Sequence, residues 1–178
     1  RIDHFMYCEK ITAVIIPDSV EKIHKSVISF KEKYCLDTKV IALYFPQFHR
    51  TKENDLWWGE GFTDWTNVKK GQPLFKGHRQ PRVPLDGDYY DLSDVNVIRR
   101  QAELARRYGI HGFAIYHYWF DDHVQILETP KELILEHKEI DIPFCLTWAN
   151  ETWSRRWEGK DREVLLQQTH TPSKEKWK

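Results

Sequence analysis

The chain has 178 residues and a mass of 21.5 kDa, the size of one ordinary domain. Lysine plus arginine and aspartate plus glutamate both total 27, and a net charge of zero gives no support to a nucleic-acid or anionic-membrane partner. No apolar run approaches the ~20 residues of a membrane helix, no basic stretch leads into an apolar core as in a signal peptide, and 40% hydrophobic with 30% charged residues excludes wholesale disorder.

Residues 11–16 are a β-branched run closed by Pro17 and Asp18, a strand and turn signature. Asp18 and Glu21 have the spacing of a capping box, and Val20, Ile23, Val27, Phe30 and Tyr34 then recur at helical intervals. Residues 1–38 therefore read as a strand and a helix from the tail of a preceding module or a linker. The continuous apolar run 40–45 is what a parallel strand covered on both faces requires, and it stops at Pro46. A long connection of roughly 45 residues follows, against the ~2–6 usual between a strand and its helix.

A helix is expected from residue 95, with Asp94 or Ser93 as its cap and Gly109 as its stop, since Val95, Ile98, Ala102, Ala105 and Tyr108 share one face. A second strand is expected over 109–116. The next helix is expected to open with Thr129 as cap, Pro130 in the first turn and Glu132 completing a capping box. A third strand follows over 142–148, and residues 173–178 look like the start of another helix. The absence of an initiator Met before Arg1 and of a stop signal for that last helix reads as a piece of a longer protein.

Strand and helix alternate, which argues for an α/β fold with a parallel sheet, either doubly wound or closed into a (β/α)8 barrel. No GxGxxG or GxxxxGK[ST] follows any strand, which favours the TIM-type barrel, here as an N-terminal partial barrel of about three strands spanning residues 39–178.

In both architectures the segments leaving the C-terminal ends of the strands carry the site. Here those segments hold eight tryptophans less one, from Trp57 to Trp157, among carboxylates, amides and arginines. Flat aromatic rings pack on the C–H faces of a sugar while Asp, Glu, Asn, Gln, His and Arg bond its hydroxyls. Glycoside chemistry further needs carboxyl groups about the anomeric carbon. Glu151, directly after the third strand, and Asp64, on the long connection, are the candidate catalytic groups. Tyr44, Gln47, His49, Trp57, Trp58, Trp65, His117, Trp119, Asn150, Trp153 and Arg156 are the candidate substrate-binding residues.

Plainer roles stand beside these. Phe120 and Trp148 serve equally as core or as sugar platforms, and Arg155 and Arg156 as a solvated or loop-anchoring pair or as ligand contacts. Glu158 and Asp161 read as surface charges. Cys8, Cys35 and Cys145 are too few and too scattered for a disulfide framework, and Cys145 reads as core. The histidines lack HExxH or any other ligand spacing, so no metal and no cofactor is expected.

Several ordered motifs carry a resemblance to a known family. They are Tyr44-Phe45-Pro46-Gln47-Phe48-His49, Asn54-Asp55 with Trp57-Trp58-Gly59, Gly61-Phe62-Thr63-Asp64-Trp65-Thr66-Asn67, Tyr118-Trp119-Phe120 and Trp148-Ala149-Asn150-Glu151. Over about residues 39–170 the chain resembles the WbsX-type domain, also called glycoside hydrolase family 99-like. The resemblance implies a (β/α)8 barrel and an oligo- or polysaccharide substrate in bacterial lipopolysaccharide or surface-polysaccharide biosynthesis. It also implies fusion to glycosyltransferase modules. A cytoplasmic location is expected, with neither nucleic acid nor a membrane segment. The related hydrolases cleave internal α-mannosidic links with retention. Asp64 stands where the family motif has the longer Glu, and the catalytic pair of the related hydrolases belongs to a later part of the barrel. Glu151 as catalytic acid or base is thus inferred from its position alone, with hydrogen bonding to a sugar hydroxyl as its alternative; a non-catalytic glycan-binding domain or assembly scaffold is the rival reading.

Overall fold

The computed structural model describes residues 39–120 and 124–170. The expected strand and helix before residue 38, the helix start at 173–178 and Asp121, Asp122 and His123 lie outside the described residues.

Three strands form a parallel sheet in sequence order. Strand β1 (Ile41–Tyr44) pairs with β2 (Gly112–Trp119), and β2 pairs on with β4 (Phe144–Trp148). Helix α3 (Val95–Arg107) connects the first two and α4 (Thr129–Glu136) the second and third. The coarse expectation of an α/β domain with a parallel sheet is met. Strand β2 starts three residues later than the sequence placed it. Gly109, at φ 82°, first turns the chain out of α3. Gly112 then enters the sheet where a Cβ would stand 2.4 Å from the carbonyl oxygen of Pro143.

The long connection after β1 is not structureless. It folds into α1 (Lys52–Trp58), α2 (Asp64–Lys69) and a 3-10 turn at Leu85–Gly87. The Thr51 hydroxyl caps α1 by accepting from the Asn54 amide at 3.1 Å. Asp94 caps α3 as expected, accepting from the Asn96 amide at 2.8 Å. Thr129 does not cap α4: it is already helical, Glu128 takes the cap position, and no side chain bonds the free amides there.

Two further pieces lie beyond the expected pattern. The short β3 (Gln125–Ile126) folds back antiparallel on the end of β2. A bulged hairpin of β5 (Trp153–Arg155) and β6 (Lys160–Leu166) follows β4.

The strands alternate their side chains between two unlike faces. On one, Phe113 and Ile115 of β2 meet Ile98 and Ala102 of α3 and Ile134 of α4 in a dry core. On the other lie Leu43, 64% exposed, then Ala114 and Cys145, which the register sets side by side. Cys145 is exposed rather than core.

Candidate functional site

A hollow of about 490 Å³ opens on that second face, at the C-terminal ends of the strands. Leu43, Phe45 and Gln47 come to it from β1 and the turn beyond, Tyr116 and Tyr118 from β2, and Trp58 from the end of α1. The segment leaving β4 supplies Glu151 and Thr152, and the hairpin completes the wall with Trp153, Ser154 and Arg156. Five of the candidate residues from the sequence thus share one hollow: Gln47, Trp58, Glu151, Trp153 and Arg156.

Trp153 is the hub of the aromatic wall. Its ring lies 5.1 Å from Tyr118, 5.9 Å from Trp57 and 6.1 Å from Phe120, each in an edge arrangement. Trp57 stands behind it, and its carbonyl accepts from Arg155 at 3.0 Å, which ties α1 to the hairpin. The Arg155 guanidinium also lies 5.4 Å from the Trp58 ring and pairs with Glu158 and Glu163. Of the two roles open to Arg155, loop anchoring is the one its contacts describe. Arg156 instead faces the mouth, 3.9 Å from Glu151 and 3.5 Å from Asp161.

Of the polar residues that line the hollow, Gln47 is the buried one. Gln47 is 1% exposed, and its amide Nε2 has no hydrogen-bond partner among the described residues. An unpaired buried donor beside a hollow is poised for an acceptor that a ligand brings. The carbonyl of Gln47 accepts from the Asp64 amide, at the start of α2. Asp64 itself is not among the residues that line the hollow; burial pushes its carboxyl up to about 6. The Tyr118 phenol is pushed up as well, by burial first and then by the Asp64 carboxylate, with Tyr116 and Glu151 adding to it. Tyr118 therefore stands within electrostatic reach of both candidate carboxylates.

The other candidates are placed elsewhere. Tyr44 points to the dry face, where it stacks on Phe113 at 4.6 Å and donates to Gln101 Oε1 at 2.6 Å. Trp65 donates to the Tyr90 carbonyl at 2.8 Å and packs against Phe48, Tyr89 and Tyr90. His49 is sealed, with Nδ1 2.7 Å from the Pro46 carbonyl and its basicity lowered by burial. His117 sits on the α4 side, 3.1 Å from Glu128, which Lys131 also contacts. Burial, then Lys131, lowers its pKa.

Trp119 and Trp148 meet each other at 6.0 Å, and the Trp119 carbonyl accepts from both Trp148 and Gln168. Phe120 is buried, which answers the choice left open for it, and Asn150 is exposed without lining the hollow.

Leu43, Phe45, Tyr116 and Tyr118 are not among the candidate site residues taken from the sequence. The signal was the period of two: once β2 is carried to Trp119, residues 114, 116 and 118 all belong to the face opposite Ile115. Among the described residues no group of three or more His, Cys, Asp and Glu is arranged to hold a metal ion.

Comparison with known proteins adds the following. The family model described as Glycosyltransferase WbsX matches residues 40–178. A relative printed as Uncharacterized protein WxcX, from two strains of Xanthomonas campestris pv. campestris, is 48% identical over 136 residues in each. The match covers 76% of this chain and 19% of the relative, so the chain spans about a fifth of that protein's length. No solved structure matches.

Proposed function

This chain belongs to the WbsX glycosyltransferase family, and from that premise we propose that the hollow is the saccharide site of a carbohydrate-active domain that transfers or hydrolyses glycosidic bonds in surface-polysaccharide biosynthesis. The observation that carries the reading is the convergence of Glu151, the unpaired Gln47 amide and the Trp58 and Trp153 rings on one concave surface. Rings for the sugar's C–H faces and directed polar groups for its hydroxyls are the two requirements of glycan binding. The three parallel strands in sequence order, with both helices on one face, are consistent with the opening of a (β/α)8 barrel in the parent protein.

Within this reading the two carboxyls divide the work. Asp64, holding its proton to about pH 6, suits a proton donor to a leaving oxygen. Glu151, at the mouth beside Arg156, accepts from sugar hydroxyls or the attacking group. The test is Glu151→Gln in the full-length parent, assayed against α-mannosides and activated sugar donors. Turnover should fall at least about a hundredfold with the melting temperature unchanged. The pH profile should decline as pH rises through about 6, and Asp64→Asn should abolish that limb. Near-normal turnover in Glu151→Gln with saccharide affinity lost would favour a glycan-binding role for this residue instead.

A further inference from the structure

The zero net charge conceals a segregated stretch. Between Asp64 and Asp86 lie Lys69, Lys70, Lys76, Arg79 and Arg82, and not one Asp or Glu. The same stretch carries large apolar side chains held out in water: Leu74 is 82% exposed, Phe75 67%, Val83 65% and Leu85 79%. Lys70, Lys76 and Arg79 take part in none of the ion pairs among the described residues.

The shape of this loop is built in. At its neck Gly71 closes against Gln80, so tightly that a Cβ would stand 2.9 Å from the Gln80 Oε1. At its tip His78 returns two bonds: its amide donates to the Phe75 carbonyl at 3.0 Å, and its Nδ1 accepts from the Leu74 amide at 3.1 Å. The imidazole lies flat on the Phe75 ring, 4.6 Å away and 6° from parallel. Leu74, Phe75 and Lys76 are therefore presented together on a preformed tip with Lys70 and Arg79 on its flanks.

An apolar tip ringed by cations has two requirements at once: a medium for the hydrocarbon and negative charge around it. The core of a protein interface is depleted in Lys, which argues against a protein partner. Single-stranded nucleic acid and sugar rings stack on open aromatic faces, and one face of Phe75 is already taken by His78; duplex phosphates would meet the cations but leave Leu74 and Phe75 in water. The geometry points to an anionic bilayer surface: we propose that residues 70–85 dock this domain on negatively charged lipid. Leu74 and Phe75 enter the boundary between headgroups and acyl chains, and Lys70, Lys76 and Arg79 meet the phosphates.

The inference uses no property of the hollow and is tested separately from it. The full-length parent is sedimented with phosphatidylcholine vesicles with and without phosphatidylglycerol. Binding to the phosphatidylglycerol vesicles alone is expected, with loss in about 1 M salt, where the Debye length shrinks to ~3 Å. Each of Lys70→Glu, Lys76→Glu and Arg79→Glu should weaken it about fivefold or more. Phe75→Ser should weaken it with the thermal melt unchanged, since that side chain has little packing to lose. Failure of the parent to bind phosphatidylglycerol vesicles overturns the proposal, as does binding that survives both Phe75→Ser and the charge reversals. Retention on an acidic polysaccharide that Phe75→Ser leaves intact, without vesicle binding, also overturns it and assigns the cations to a soluble polyanion.

Discussion

Strand β2 sends its side chains in two directions, and the two sets have opposite fates. Phe113 and Ile115 are sealed under α3 and α4, within a cluster of hydrophobic side chains. Tyr116 and Tyr118, one residue out of step, look into a hollow that Glu151, Gln47 and two indoles share. Composition does not separate the two faces, since both are aromatic. The difference is what packs on each: helices bury the centre of the first, with Leu146 of β4 left 48% exposed at its side, whereas the second meets α1 and a hairpin that bring polar groups with them. An aromatic ring in this domain therefore says little about sugar binding until its parity along the strand is known.

The comparison breaks most readily on the sealed face. Phe113 is 5% exposed and stacked on Tyr44, so Phe113→Ala removes a large buried ring and leaves a cavity. The expected loss is about 3–5 kcal/mol in urea unfolding of the full-length protein. A loss under about 1 kcal/mol would mean that this face is not the core.

The hollow should answer differently, because its polar groups are held at some expense to stability. Gln47→Met keeps the volume and removes a buried amide donor that lacks a partner. Stability should hold or rise by up to ~1 kcal/mol, while saccharide affinity falls about five- to tenfold, the value of one hydrogen bond. Titration calorimetry and a urea melt on the same sample read both quantities. A variant that binds as well as the parent would leave the unpaired amide without a role.

Much of this architecture was legible from the chain. Continuous apolar runs marked the three strands, and Asp94 and Gly109 marked the ends of α3, because caps and left-handed turns are local chemistry. The site was legible only in part. Glu151, Trp58, Trp153, Gln47 and Arg156 come together because all leave strand ends or the segments next to them, which position along the sequence reveals. Ending β2 at residue 116 hid Tyr118, since a side chain assigned to a loop has no parity. The hairpin after β4 was hidden because bulges break its alternation. The basic loop was missed for a different reason: a balance taken over the whole chain averages away a 21-residue stretch without an acid.

The sharpest version of the comparison sets two tyrosines against each other. Tyr44 ends β1 and was expected to touch sugar, yet its register partner is Ile115, so it belongs to the sealed face. Its hydroxyl donates to Gln101 at 2.6 Å, and burial holds that proton on the phenol. Tyr44→Phe should therefore lower stability by about 1 kcal/mol, through loss of that bond, and leave saccharide affinity untouched. Tyr118 lines the hollow between the influence of Asp64 and that of Glu151. Tyr118→Phe takes away a hydroxyl and little packing, so its effect should fall on affinity or turnover rather than on the melt. If calorimetry finds the reverse, with Tyr44→Phe impairing glycan binding and Tyr118→Phe silent, the assignment of faces is inverted. The parity argument is then wrong at its root, because both residues lie in regular paired strand and cannot exchange faces without shifting the register of the whole sheet.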